Sequence, residues 1–144
     1  MAASKRVPSA SGNVGYSGKA LWQKLGLAAG QRLYVQNPVP QIDALLAGAP
    51  AGMVRLPRLA AFDVALVFVA KRTDCASGLG KLLPHLQVGG MVWFAWPKKA
   101  SGVATDVTED ALRAIVLPAG LVDVKVCAID ATWSGLKFLR RRST

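Results

Sequence analysis

A chain of 144 residues with 52% hydrophobic and 18% charged residues has apolar material for one packed core, and none of its apolar runs is long enough to span a membrane. Eighteen basic against eight acidic residues leave a formal charge of +10. That favours anionic partners: a phosphate- or carboxylate-bearing small molecule, an acidic protein surface or, ranked below these, nucleic acid.

Residues 1–13 are small and polar around Lys5-Arg6 and lack the apolar stretch of a secretory signal. They read as a disordered arm ahead of a single domain over 14–142. A helix is expected within 16–27, with Leu21, Trp22 and Leu25 on one face, Ser17 as its cap and "AAG" after it. "QRLYVQN" is a first strand, stopped by "PVP". A short helix over 41–50 buries Ile42, Leu45 and Leu46, and a short strand follows over 52–57.

"FDVALVFVA", 62–70, is a nearly continuous β-rich apolar run, as in a parallel strand covered on both faces. A helix over 72–87 turns Leu79, Leu82, Leu83 and Leu86 inward, and "VGG" then turns the chain into the strand "MVWFAW". The helix over 105–120 buries Leu112, Ile115 and Val116 and stops at Pro118 and Gly120. Asp106 and Glu109 have the spacing of a capping box there. Two strands, 121–129 and 135–141, are joined by "DATWS", short enough for an antiparallel pair. In the first of them Val122, Val124, Val126 and Ala128 alternate with Asp123, Lys125 and Cys127. The order specifies an α/β fold: a three-layer, Rossmann-like, mostly parallel sheet with a C-terminal antiparallel hairpin.

"FDVALVFV", the "LQVGGMVWF" turn into the next strand and the closing hairpin together resemble the second half of the Rossmann-like S-adenosylmethionine-dependent methyltransferase fold, in a reduced form. The resemblance implies an acidic residue and a Gly-x-Gly loop after the first strand, where backbone approaches the cofactor closely. This chain reads "YVQNPVP" there. It also implies an acid at the end of the second strand to hold ribose hydroxyls. Here that strand ends in Leu56-Pro57, between Arg55 and Arg58. S-adenosylmethionine is therefore not expected, and no other cofactor is. Three stretches, "GYSGK" (15–19), "WPKKASGVATDVTED" (96–110) and "GLVDVKVCAIDATWSGLKFLRR" (120–141), are similar to a bacterial family of small domains of unknown function. That resemblance brings no activity with it.

In an open α/β sheet, ligands bind beyond the carboxyl ends of the strands. The residues expected there are Asn37, Lys71, Arg72, Trp96, Lys98, Lys99 and Ser101. Paired lysines beside a hydroxyl and a glycine suit a phosphate or carboxylate, and equally suit ordinary surface charge. Tyr16, Lys125, Trp133 and Lys137 form a second set, for contact with a partner. Lys125 and Lys137 read either as cross-strand ion pairs with Asp123 or as an extension of the basic site, and Trp133 either as a stacking surface or as a cover for its own core.

Asp106 and Glu109 read more simply as a cap than as an acid/base pair. His85 is the lone histidine and has no nucleophile or acid beside it. No Gly-x-Ser-x-Gly elbow and no phosphate-binding Walker loop is present. Cys75 and Cys127 form no CxxC pair and, with one histidine, no metal-ligand set, so both read as reduced thiols of a cytoplasmic protein. The function expected is a non-catalytic module binding an anionic small molecule or acidic partner at the Lys98-Lys99 loop. A divergent S-adenosylmethionine-dependent methyltransferase is the alternative, and a nucleic-acid binder ranks third.

Overall fold

The computed structural model describes residues 19–140. The expected arm, Tyr16, the Ser17 cap and the tail beyond Arg140 lie outside the described residues. Six strands form one sheet: β1 (Arg32–Gln36), β2 (Val54–Arg55), β3 (Phe62–Phe68), β4 (Leu86–Pro97), β5 (Leu121–Ala128) and β6 (Trp133–Arg140). Their spatial order is β2-β1-β3-β4-β6-β5. The first four run parallel, and β6 pairs antiparallel with both β4 and β5. Helices α1 (Leu21–Leu25) and α2 (Ile42–Leu45) cover one face; α3 (Arg72–Leu82) and α4 (Glu109–Val116) cover the other.

β3 follows its sequence pattern. Apart from Asp63, every residue from Phe62 to Phe68 is buried, and from Val64 onward alternate positions enter opposite cores. Phe62, Ala65 and Val67 meet Cys75, Leu79 and Leu82 of α3 and Leu112 and Val116 of α4. Val64, Leu66 and Phe68 meet Leu25, Ile42 and Leu46. Burial on this scale stabilises by roughly 1.5–3 kcal/mol for each large side chain. Trp93, fully buried in β4, donates its indole N–H to the Leu25 carbonyl at 3.0 Å. One bond thus satisfies a buried donor and fixes the end of α1 to the sheet. Gly135 in β6 permits that packing, because a Cβ there would lie 2.9 Å from Ile129 Cδ1 and 3.2 Å from Trp93 Cε3.

Several local expectations change. α1 ends at Gly26, in the left-handed conformation with φ 76°, ahead of the "AAG" expected to stop it. α3 ends at Leu82 and passes into a 3-10 turn holding Pro84, whose missing N–H suits the first turn of a new helix. "VGG" belongs to β4, where the pairing with β3 skips from Phe62 opposite Leu86 to Val64 opposite Met91. A Cβ on Gly90 would sit 2.8 Å from the Asp63 carbonyl, so the bulge needs glycine. α4 starts later than expected. Thr108 caps it, its hydroxyl accepting from the Ala111 N–H at 3.0 Å, and Asp106 is engaged elsewhere.

The alternation expected in β5 also breaks. Asp123 faces Phe138, but Lys125 faces Lys137, so Val124 is an extra residue in the ladder. Asp123 therefore points to the α4 face, where it pairs with Arg113 at 2.9 Å, while Lys125 points to the α1 face. No Asp123–Lys125–Lys137 ion pair forms.

Asp63 sits where β3 begins. It accepts the Arg32 backbone N–H at 2.9 Å and the guanidinium at 3.2 and 3.4 Å. These bonds hold its carboxyl below the ordinary 3.8, against the opposing effect of burial. A carboxyl depressed in the folded state contributes stability above its unfolded pKa and loses it as pH falls through the folded value. Asp63→Asn should cost about 1–2 kcal/mol at pH 7, the pair being partly exposed. It should also flatten the acid limb of the stability curve below pH about 4, as urea melts at pH 7, 4 and 2.5 would read.

Candidate functional site

The carboxyl ends of β1, β3 and β4 open on one edge of the sheet, where the sequence places its candidate residues. At the end of β1, Asn37 takes the left-handed conformation with φ 54° and donates its amide to the Phe68 carbonyl at 3.3 Å. Asparagine tolerates that conformation better than most side chains. It makes the turn out of the strand that a glycine would otherwise make. Pro38 and Pro40 flank Val39, which is buried against Ile42 and Leu46 and leads into α2.

Past β3 the chain meets the segment that precedes α4. The Ala70 carbonyl accepts both the Thr105 hydroxyl at 2.6 Å and the Asp106 N–H at 3.3 Å. Thr105 Oγ1 accepts in turn from the Val107 N–H at 3.0 Å. Asp106 Oδ1 accepts the Arg72 N–H at 2.8 Å, and the Asp106 carbonyl accepts Arg72 Nε at 2.6 Å. Asp106 thus satisfies the first backbone donor of α3 instead of capping its own helix. Between these elements lies a cleft of about 300 Å³, lined by Ala70, Lys71, Thr73, Ala104, Thr105 and Asp106. It is large enough for part of a small ligand and has a hydroxyl pair, a carboxylate and one ammonium around it.

The other candidates divide. Lys98 is half-buried and its N–H donates to the Thr132 carbonyl at 2.7 Å; Lys99 is exposed on the following 3-10 turn. The Ser101 hydroxyl donates to the Lys98 carbonyl at 2.7 Å and accepts from the Val103 N–H, so it closes that turn. Trp96 is buried in the α3–α4 core. Trp133 packs edge-on against Phe68 with ring centroids 5.1 Å apart. Lys71 joins the cleft, while Arg72 is held by Asp106. Lys125 and Lys137 lie on the far hairpin, beside a separate hollow lined by Lys19 and Lys24 of the α1 region.

Glu109 and Asp110 both bind Arg113, which also holds Asp123, so the Asp106–Glu109 pair is divided between two arginines. Burial pushes the Cys75 thiol up to about 12, leaving no thiolate to act as a nucleophile. Among the described residues no three His, Cys, Asp or Glu gather as metal ligands. No helix there is long and apolar enough to cross a membrane. Sequence reasoning missed Thr105 and Asp106 as walls of the cleft. Their sole signal is the "ATD" polar break ahead of α4, which reads as a loop.

No protein-family model matches the chain, and no curated protein does. Solved structures match its fold. A methyltransferase from Pyrococcus furiosus shares 13% identity over 85% of this chain and 80% of its own, with a TM-score of 0.57. A ribosomal protein L11 methylase from Lactobacillus delbrueckii subsp. bulgaricus shares 12% over 83% and 74%, also at 0.57. Aeropyrum pernix fibrillarin, in complex with natively bound S-adenosyl-L-methionine, shares 13% over 83% and 73%, at 0.52. The fold is thus a Rossmann-like, methyltransferase-type α/β sheet, as its strand order and closing hairpin also require.

The expectation that excludes S-adenosylmethionine is corrected by this comparison. It rests on the missing glycines and strand-end acids, whereas a protein with that cofactor natively bound shares the fold over most of this chain. Asn37, at the place where that loop would begin, takes the left-handed conformation.

Replacing Thr105 by valine removes two hydrogen bonds from the wall of the cleft. Thr105→Val should lower unfolding free energy by about 1–2 kcal/mol and speed amide exchange at Val107, while exchange in β3 stays slow. Chemical denaturation with hydrogen-exchange mass spectrometry checks both.

Proposed function

We propose that this domain is a reduced methyltransferase-type domain that takes S-adenosylmethionine at the carboxyl edge of β1 and β3. The observations that carry the reading are the left-handed Asn37 turn, tied to the Phe68 carbonyl, and the cleft just past β3, on a sheet with the methyltransferase strand order. The residues present fit the group through the turn and the cleft. Asn37 borders the edge, and Ala70, Lys71, Thr73 and Thr105 offer backbone groups, an ammonium and hydroxyls. The ribose carboxylate of the wider fold has no counterpart at Leu56-Pro57, so Thr105 and Thr73 are assigned the hydroxyl contacts.

Bound there, the cofactor supplies an electrophilic methyl group. The chain's own part is to orient it and to hold the acceptor. Lys71, Lys98 and Lys99 stand along the same edge, and among the described residues none of them pairs with a carboxylate. Acceptors bearing phosphate or carboxylate suit them.

The second reading is the non-catalytic anion-binding module, favoured by those same lysines and by the absence of a base poised in the cleft other than Asp106, which Arg72 occupies. The motif resemblance to the bacterial family of small domains is compatible with either.

Titration calorimetry with S-adenosylmethionine separates the two. The first reading expects saturable one-to-one heat with a dissociation constant of roughly micromolar order. Ala104→Trp, an exposed position that fills the cleft without disturbing either core, should weaken it by about tenfold or more. No heat and no thermal shift at saturating cofactor would remove the methyltransferase reading and leave the anion module.

A further inference from the structure

The hollow on the C-terminal hairpin has no place in either reading above. It encloses about 420 Å³ on the α1 side of the sheet edge, and Lys19, Lys24 and Lys125 line it around Cys127 and Ser134. Lys137 stands directly opposite Lys125 in the β5–β6 ladder. Like charges facing each other across a ladder are destabilising, and among the described residues no ion pair relieves them. The carboxylates that might do so are turned away. Asp123 is on the other face with Arg113, Asp63 is held by Arg32, and Asp43 by Arg55. Asp130 accepts the Thr132 and Trp133 N–H groups at 2.8 Å and an amide of Gln41. Among the described residues the ion pairs are made by arginine, and no lysine takes part in one.

The bulge is what creates this arrangement. In a regular β5, Lys125 would share a face with Asp123 and lie near its carboxylate. The extra residue at Val124 rotates Lys125 onto the α1 face, against Lys137 and beside Lys24. Bulges of this kind re-aim one side chain at a site. Lys137 is half-buried. Its removal from water, and then the Lys125 ammonium, hold its pKa below the ordinary 10.5.

We propose that the hollow lined by Lys19, Lys24 and Lys125, with Lys137 opposite Lys125 in the ladder, is a second binding site, for a small polyphosphate anion of the pyrophosphate type. Such a group carries several negative charges within a few ångströms and accepts from several ammonium groups at once. It converts the Lys125–Lys137 repulsion into a shared attraction. Val126, Ala128 and Ser134 complete the lining of the hollow, and its volume leaves room for whatever the phosphates are attached to.

Inorganic pyrophosphate at fixed ionic strength is the probe, with citrate and a 20-nucleotide single strand as competing arms. The full chain should bind pyrophosphate saturably, one to one. Lys125→Ala should weaken binding by roughly tenfold or more, whereas Lys81→Ala, with the same loss of charge, should leave it unchanged. Lys125→Glu should abolish binding and raise the melting temperature of the free protein, because it replaces a repulsion by an ion pair with Lys137. Pyrophosphate should also slow alkylation of half-buried Cys127 in the unaltered chain, with fully buried Cys75 as the internal reference. The proposal is overturned by absent or unsaturable heat, by equal losses in Lys81→Ala and Lys125→Ala, by unprotected Cys127, or by binding confined to citrate or to the oligonucleotide.

Discussion

The centre of the sheet is covered on both faces, and the rest of the molecule is arranged by that constraint. β3 and β4 pass between two helical layers, and among the described residues no polar or charged side chain is buried. A charge placed there would lose its hydration with nothing to replace it. The fully buried indole donor of Trp93 is matched by the Leu25 carbonyl. Polar chemistry is thereby displaced to two rims: the carboxyl edge of the parallel strands and the outer hairpin.

The carboxyl edge is rigid where it matters. Just past β3, the Ala70 carbonyl receives two donors from the 105–106 segment, and Asp106 returns a bond to the start of α3. The passage from β3 into α3 is thus joined to a segment distant in sequence, and the cleft lies inside that junction. Asn37 is fixed to the neighbouring strand end through Phe68. A small ligand entering here meets groups already held in position, which limits the entropy it must give up on binding. The hairpin is different: its lysines are held together by register and repelled by charge, so it is an incomplete arrangement until an anion arrives.

How much of this the amino-acid order reveals depends on the range of the interaction. β3, β4 and the stripe of α4 are legible because their burial is written in local pattern: "VALVFV" and "MVWFAW" have no polar face to expose, and Leu112 and Val116 repeat at helical spacing. The beginning of α4 is misread because Asp106 and Glu109 satisfy a local rule that a tertiary bond overrides. The Arg72 backbone takes Asp106, and Thr108 caps instead. Trp96 near the end of β4 faces inward and Ser101 in the following loop closes a turn, and spacing alone carries no such direction. The Lys125–Lys137 contact is least legible, since strict alternation assigns Lys125 to the face of Asp123. Only the bulge, a property of two strands together, moves it.

The proposed cofactor site is the carboxyl edge of β1 and β3, in spite of its missing glycines. Amide shift mapping of the ¹⁵N-labelled chain with S-adenosylmethionine tests it most directly. The account predicts concentration-dependent shifts at Asn37, Ala70 to Thr73 and Thr105, with Lys125 to Ser134 unmoved. Absent shifts, or shifts confined to the hairpin, would contradict it.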